Sequence, residues 1–378
     1  SKPTPRATCS SMKSTSRIEL RTMIPASAII PIIDVAPLVS GSGDRTATAA
    51  ALGHACREYG FFYVTGHGVS ERLQEQLEAD CRRFFAQDLA SKLRIHMSRG
   101  GRAWRGYFPV GEELTSGLPD QKEGLYFGSE LSDSDPRVLA GTPLHGRNLF
   151  PDDPPRLREL VLAYMAEMTR LGHSLLAGIA LSLGLEADYF AERFGAEPLT
   201  LFRVFSYPPE PEPEPEPEPT EGPQPDAPAG PRWGVGEHTD YGVLTILRQD
   251  DSGGLEVKSR ARWIEAPPVP GTFICNLGDM LDRMTFGRYR STPHRVRNRS
   301  RRHRLSFPFF FDPAWDAEVR PIELPTSAPP TPLSLPLFDD QAERWDRSSV
   351  HTFRGTYGEY LLRKVGKVFP ELHKSVLP

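Results

Sequence analysis

Between residues 200 and 311 the chain breaks into six short runs rich in β-branched and aromatic residues, at 201–207, 243–247, 255–257, 272–276, 294–296 and 305–311, divided by turn-forming residues. A lone run of this length cannot satisfy its backbone hydrogen bonds, so the runs must pair into layered or closed sheets, and the pattern predicts a sandwich or barrel. The first half reads differently. Residues 29–34 form a β-branched run, 46–59 an alanine-rich amphipathic segment and 61–64 a second strand. Gly66-His67-Gly68 supplies a turn, and Ser70 caps a helix carrying Leu73, Leu77, Cys81, Phe84 and Phe85 at helical spacing. A looser stretch at 99–150 leads into a long helical pattern at 155–183, placed to support a sheet. Thr356 and Glu359 form a T-x-x-E capping box before a last helix. The fold class expected is mainly β with flanking helices and an N-terminal α/β segment.

The chain of 378 residues divides, on this reading, into a tail at 1–28 and one domain at 29–378. That domain comprises α/β and helical support at 29–199, a β core at 200–355, and a C-terminal helix and tail at 356–378. A formal charge of −4 gives no reason to expect nucleic acid or an anionic membrane as partner, and a small molecule fits better. No stretch approaches 18 consecutive apolar residues, and the four cysteines are sparse, so a soluble protein of the cytoplasm is expected. The tail sets Lys2, Arg6, Lys13, Arg17 and Arg21 against the single acid Glu19, a composition shared by organelle-targeting peptides and plain disordered tails. The Glu-Pro repeat at 210–219 cannot enter a sheet centre and places an exposed, extended loop at 208–231. It reads as a tolerated insertion, with docking of a basic or proline-reading partner as the alternative.

The chemical signal is His238-Thr239-Asp240 with His294 further along. Two imidazoles and a carboxylate on one face of an octahedral metal leave three positions open, and the i, i+2 spacing puts His238 and Asp240 on one side of a strand. By itself the spacing is weak. Ten histidines and 49 acidic residues in 378 give about one such match by chance. The support comes from Arg304-Leu305-Ser306, an R-x-S able to hold a distal carboxylate through a guanidinium fork and a hydroxyl. A turn at 298–302 would set His294 and Arg304 on neighbouring antiparallel strands facing one cavity.

With these residues the sequence resembles the 2-oxoglutarate and iron(II) dependent dioxygenases of the isopenicillin N synthase-like group. The resemblance runs from about Ile29 to Leu372 and includes Ile30-Pro31-Ile32-Ile33-Asp34, the run Gly60 to Gly68, and Asp120-Gln121-Lys122-Glu123. Asn276-Leu277-Gly278-Asp279 and the run Arg290 to Val296 belong to it as well. It implies a double-stranded β-helix, a distorted jelly roll, and an oxidoreductase requiring iron(II), 2-oxoglutarate and dioxygen. His238, Asp240 and His294 would hold the metal, Arg304 and Ser306 would grip the far carboxylate, and Tyr207 would add a hydroxyl to that grip. The reaction implied couples decarboxylation of 2-oxoglutarate to succinate and carbon dioxide with hydroxylation or desaturation of a small organic substrate. The Glu-Pro insertion, and Phe205-Ser206 where many relatives have Asn-Tyr, depart from the family and weaken any transfer of substrate. The alternatives are a same-fold oxidase that does not use 2-oxoglutarate, a non-catalytic jelly-roll binding protein, and a zinc hydrolase.

Other residues have plainer readings. His67 is assigned to its turn, His303 to the strand face opposite Arg304, Glu237 to the surface, and Asn276 with Asp279 to a turn. The basic run Arg295, Arg297, Arg299, Arg301 and Arg302 lacks interleaved aromatics and is expected to be a solvated hairpin face. The region 102–107 corresponds to one that approaches the active-site mouth in relatives, so Arg105 and Tyr107 are candidate substrate contacts, as is Phe311 from the aromatic stripe at 307–311.

Overall fold

Two sheets result from the β-rich runs, and His238 and His294 lie on the smaller. The structure, a computed structural model, describes residues 30–194, 197–210, 233–259, 262–325 and 349–376, so the readings of the basic tail and of the Glu-Pro repeat beyond Glu210 lie outside the described residues. The larger sheet contains β1 (Ile32–Asp34), β2 (Phe61–Thr65), β3 (Gly106–Phe108), β4 (Glu123–Gly128), β5 (Leu199–Tyr207), β7 (Leu244–Gln249), β10 (Phe273–Leu277) and β12 (Arg304–Asp312). Its order is β1-β2-β10-β7-β12-β5-β4-β3. The smaller sheet joins β6 (Val235–His238), β8 (Leu255–Ser259), β9 (Arg262–Glu265) and β11 (His294–Val296) in the order β6-β11-β8-β9. Residues of both sheets line one narrow cavity. The arrangement is a mainly β jelly roll preceded by an α/β region.

Strand β12 shows why the cavity lies where it does. Its even-numbered residues Arg304, Ser306, Pro308, Phe310 and Asp312 line the cavity, while Phe307, Phe309 and Phe311 are buried on the other face. Behind it runs the helix Leu157–Ser182, which buries Leu160, Val161, Tyr164, Met168, Leu171, Leu175 and Ile179 at helical spacing. Each phenylalanine covered this way contributes about 1.5–3 kcal/mol. The helix Tyr357–Val368 starts in the capping box predicted, with Thr356 Oγ1 accepting from Glu359 N and Glu359 Oε2 accepting from Thr356 N. Tyr357 then donates to Asp312 Oδ2 at 2.6 Å, which brings Tyr357 and Leu361 into the cavity wall.

Two expectations change. The stretch read as loose contains β4, whose six residues are all buried. Its first residue, Glu123, hides the strand signal, and that carboxylate is buried because Lys92 and the Tyr107 hydroxyl each lie 2.7 Å from it. Strands β11 and β12 are not neighbours but belong to different sheets. The Asn298 amide donates to the carbonyls of Tyr207, Pro208 and Arg302, stitching the chain where it passes from one sheet to the other. No helix among the described residues is long and apolar enough to cross a membrane.

Candidate metal centre

His238 ends β6 and pairs directly with His294 on β11, so the two rings are 4.2 Å apart between centroids. Asp240 lies two residues on, beyond the strand end rather than within it. One ligand atom from each of the three falls within 4.8 Å of the others, and Asp240 Oδ1 is 3.9 Å from His238 Nε2 and 3.8 Å from His294 Nε2. Each ring is oriented by a backbone carbonyl: His238 Nδ1 donates to Gly236 O at 2.8 Å and His294 Nδ1 to Thr292 O at 3.2 Å. Both Nε2 lone pairs therefore point to the shared space, the tautomer a metal needs. Burial, then the neighbouring His294, pulls the His238 pKa down to about 3, which keeps that imidazole neutral.

Asp240 is held by residues that sequence reading assigned to a turn or did not single out. Its Oδ2 accepts from Thr245 Oγ1 at 2.5 Å and Asn276 Nδ2 at 2.6 Å, leaving Oδ1 turned toward the histidines. Burial opposes ionisation, but the two imidazoles and these two donors together hold the carboxyl below its usual range. Asp279 N donates to Asp240 O at 2.8 Å, and a Cβ on Gly278 would sit 2.3 Å from Gly242 O. The run Asn276 to Asp279 thus braces the loop that carries the carboxylate, and its glycine is the residue that lets the two backbones meet.

Across the cavity Arg304 faces Tyr207 in register, fully buried. Its Nε donates to Gly253 O at 2.6 Å and one Nη to Gln249 at 3.3 Å, while Nη1 has no partner. Ser306 donates to the Tyr207 hydroxyl at 3.3 Å, and the guanidinium lies 4.8 Å over the Tyr207 ring. A buried guanidinium with an unused N–H beside two hydroxyls can receive a carboxylate, and the opposite wall offers two imidazoles and a carboxylate. That donor set fits a divalent iron and a 2-oxo acid side by side.

The comparisons agree with the geometry. The model of the non-haem dioxygenase N-terminal region, described by its part in morphine synthesis, matches residues 30–153, and that of the 2OG-Fe(II) oxygenase superfamily matches residues 198–313. The chain belongs to the 2OG-Fe(II) oxygenases. A probable iron/ascorbate oxidoreductase of Dictyostelium discoideum is 48% identical over 92% of this chain and 97% of its own length. A 1-aminocyclopropane-1-carboxylate oxidase of the same organism is 41% identical over 90% and 95%. A homoarginine-6-hydroxylase of Oryza sativa subsp. japonica is 37% identical over 78% and 88%. Among solved structures, a 2OG-Fe(II) oxygenase family protein of Caulobacter crescentus superposes with a TM-score of 0.68 at 27% identity, over 90% of this chain and 99% of that one. As a 2OG-Fe(II) oxygenase, the chain is an oxidoreductase that uses iron(II), 2-oxoglutarate and dioxygen to oxidise a small organic substrate.

The three proposed substrate contacts do not reach the cavity of this oxygenase. Arg105 precedes β3, at the outer edge of the larger sheet, and donates to Leu144 O at 2.8 Å; Tyr107 spends its hydroxyl on Glu123. Phe311 faces the long helix, its ring 4.9 Å from that of His173, because alternation along β12 sends its neighbour Phe310 inward instead. The basic run is an ion-paired face: Arg295 and Arg299 hold Glu256, Arg297 holds Glu210 and Arg302 holds Asp251.

The residues missed are charged. Lys122 lines the cavity with its Nζ 2.7 Å from Asp120 and 2.9 Å from Glu113. Arg203 lines it too, its guanidinium 4.2 Å from the Tyr126 ring centroid and 4.8 Å from that of Phe310. The Arg203 Nη1 is 3.9 Å from Glu113 Oε1, beyond hydrogen-bond reach, and Nε has no partner. A signal existed for this residue: Leu201, Arg203, Phe205 and Tyr207 alternate along β5, so the tyrosine's face is also the arginine's.

Proposed function

We propose that this oxygenase hydroxylates a free amino acid, with Arg203 receiving the substrate's carboxylate. The observation that carries the reading is the Arg203 guanidinium itself, on the wall of the metal cavity, packed between two rings and without a hydrogen bond among the described residues. A buried guanidinium left so is a poor structural element and a good anion receptor. Two of the relatives are named for amino acids, 1-aminocyclopropane-1-carboxylate and homoarginine. Glu113, 3.9 Å from Arg203 and paired with Lys122, offers a negative partner for the ammonium of the same zwitterion.

In this assignment His238 and His294 present Nε2 and Asp240 presents Oδ1 to iron(II), and Arg304, Ser306 and Tyr207 receive the far carboxylate of 2-oxoglutarate. Iron(II) and 2-oxoglutarate, when bound, supply activation of dioxygen. The chain's own work is orientation: Arg304 fixes the direction in which the co-substrate enters, Arg203 fixes the substrate, and Leu201, Leu247 and Phe310 exclude water between them. We place the reaction in the cytoplasm, on the ground that Cys56, Cys81 and Cys275 are buried and unpaired.

Succinate release tests this directly, measured against a panel of free L-amino acids and their methyl esters. Turnover is expected with an acid and not with its ester. Loss of one charge-assisted contact, worth about 1.5–3 kcal/mol, should raise the substrate KM of Arg203→Leu about 10- to 150-fold with the 2-oxoglutarate KM unchanged. An Arg203→Leu enzyme with an unaltered substrate KM refutes the assignment.

A further inference from the structure

A second cavity of about 630 Å³ opens near the start of β5, walled by Leu131, Leu144, His145, Leu199 and Trp315 around Arg105. It shares no lining residue with the metal cavity, although β5 contributes Leu199 to one and Leu201 and Arg203 to the other. Its size is that of a small-molecule site, typically about 300–1,000 Å³. Arg105 is 1% exposed, yet among the described residues its single hydrogen bond is the one to Leu144 O, and its Nε has none. The acid that acts on it electrostatically is Glu130, whose oxygens are committed to Arg158 and to the Asn148 backbone and amide. Gly128 makes room for the guanidinium, since a Cβ there would lie 2.0 Å from it. Burial without a carboxylate lowers the Arg105 pKa to about 9, so the group is still a cation at neutral pH.

The walls decide what such a cation would take. Leu131, Leu144, Leu199 and Trp315 are apolar, and His145 adds no second charge, because it is buried with its pKa lowered and its Nδ1 donates to Pro143 O at 2.8 Å. Asp135 and Glu197 also line the cavity, 2.8 and 2.5 Å from Arg137, and Asp316 is exposed beside them. Arg137 lines the cavity as well but is already paired with both Asp135 and Glu197, so among the described residues Arg105 is the lining cation that no carboxylate holds, and the surrounding acids disfavour a second negative charge on a ligand. We propose that this cavity is a second, non-catalytic binding site for a monocarboxylate with an apolar body, whose carboxylate is received by Arg105. The site is independent of the amino-acid reading of the metal cavity and survives its failure.

The probe is 3-phenylpropionate, titrated calorimetrically into the full chain under anaerobic conditions with iron(II) and saturating 2-oxoglutarate. Saturable binding of one equivalent is expected, with succinate unable to displace it. Arg105→Gln should weaken the binding at least tenfold. Leu131→Trp, which fills the cavity from its half-buried wall without altering the guanidinium, should abolish it, and this variant decides the matter if Arg105→Gln does not fold. Arg203→Leu should bind the probe as the wild type does. Absence of saturable binding to the wild type, binding that persists in Leu131→Trp, or binding lost in Arg203→Leu would each overturn the proposal.

Discussion

The bracing of Asp240 gives the sharpest test of the metal centre. Its Oδ2 accepts from Asn276 and Thr245, at 2.6 and 2.5 Å, and among the described residues these two hold the carboxylate plane so that Oδ1 faces the two Nε2 atoms. Thr245→Val removes one donor while keeping the side-chain shape, and Asn276→Ala removes the other. A hydrogen bond to a charged group contributes about 1.5–3 kcal/mol. Partners of metal ligands, when removed, cost about 10- to 100-fold in metal affinity, equivalent to about 1.4–2.8 kcal/mol, so the two estimates overlap. Each single variant should therefore bind iron(II) about 10- to 100-fold more weakly in an anaerobic chelator competition, and the double variant more weakly still, since both donors serve one oxygen. At saturating iron(II) the carboxylate is again in place, and kcat should fall only a few-fold. Unchanged iron affinity in both single variants, with the fold verified by circular dichroism, would refute the reasoning. So would a collapse of kcat at unchanged affinity, which would mean that these residues serve the reaction and not the ligand.

Asp240→Ala and His294→Ala should retain the fold and abolish succinate formation, with iron stoichiometry reported by metal analysis. Arg304→Lys should raise the 2-oxoglutarate KM at least tenfold and change kcat less, because an ammonium cannot reproduce the planar fork; an unaltered KM would remove Arg304 from the co-substrate grip. Asp312 is buried, and that burial raises its pKa to about 7 despite donors from Tyr357 and Val243. A carboxyl whose folded pKa is raised stabilises the fold most below its unfolded pKa, and that contribution is lost as pH rises from about 4 through about 7. The melting temperature of the wild type should fall across this window, whereas Asp312→Asn should flatten the profile and melt higher than the wild type at pH 8; equal slopes would contradict it.

What the sequence disclosed follows from the range of the interactions involved. Strand and helix patterns are local, so the capping box at Thr356, the helix behind β12 and β11 itself were legible to within a few residues. The metal triad was legible because R-x-S accompanies its spacing, although Asp240 stands beyond the end of β6 and not on the strand from which the spacing was argued. Strand β4 was obscured because its buried Glu123 is neutralised by Lys92, distant in sequence. The placing of β11 and β12 in one sheet failed for a related reason, since the turn reading did not foresee Asn298 bonding to carbonyls on another strand. Arg105 was assigned by position relative to other proteins and not by a pattern of its own, and it lies in a different cavity. Arg203 was legible in principle, by counting in twos from Tyr207, but an arginine in a strand reads by default as surface charge.

The crossing at Asn298 gives the reaction chamber two leaves, with His294 on one and Arg304 on the other, separated in the chain by nine residues. A co-substrate anchored at one end to iron and at the other to Arg304 would rivet those leaves together. Loading would then restrain their breathing, so that slow amide exchange spreading through 294–306 would report assembly of the chamber before any chemistry begins.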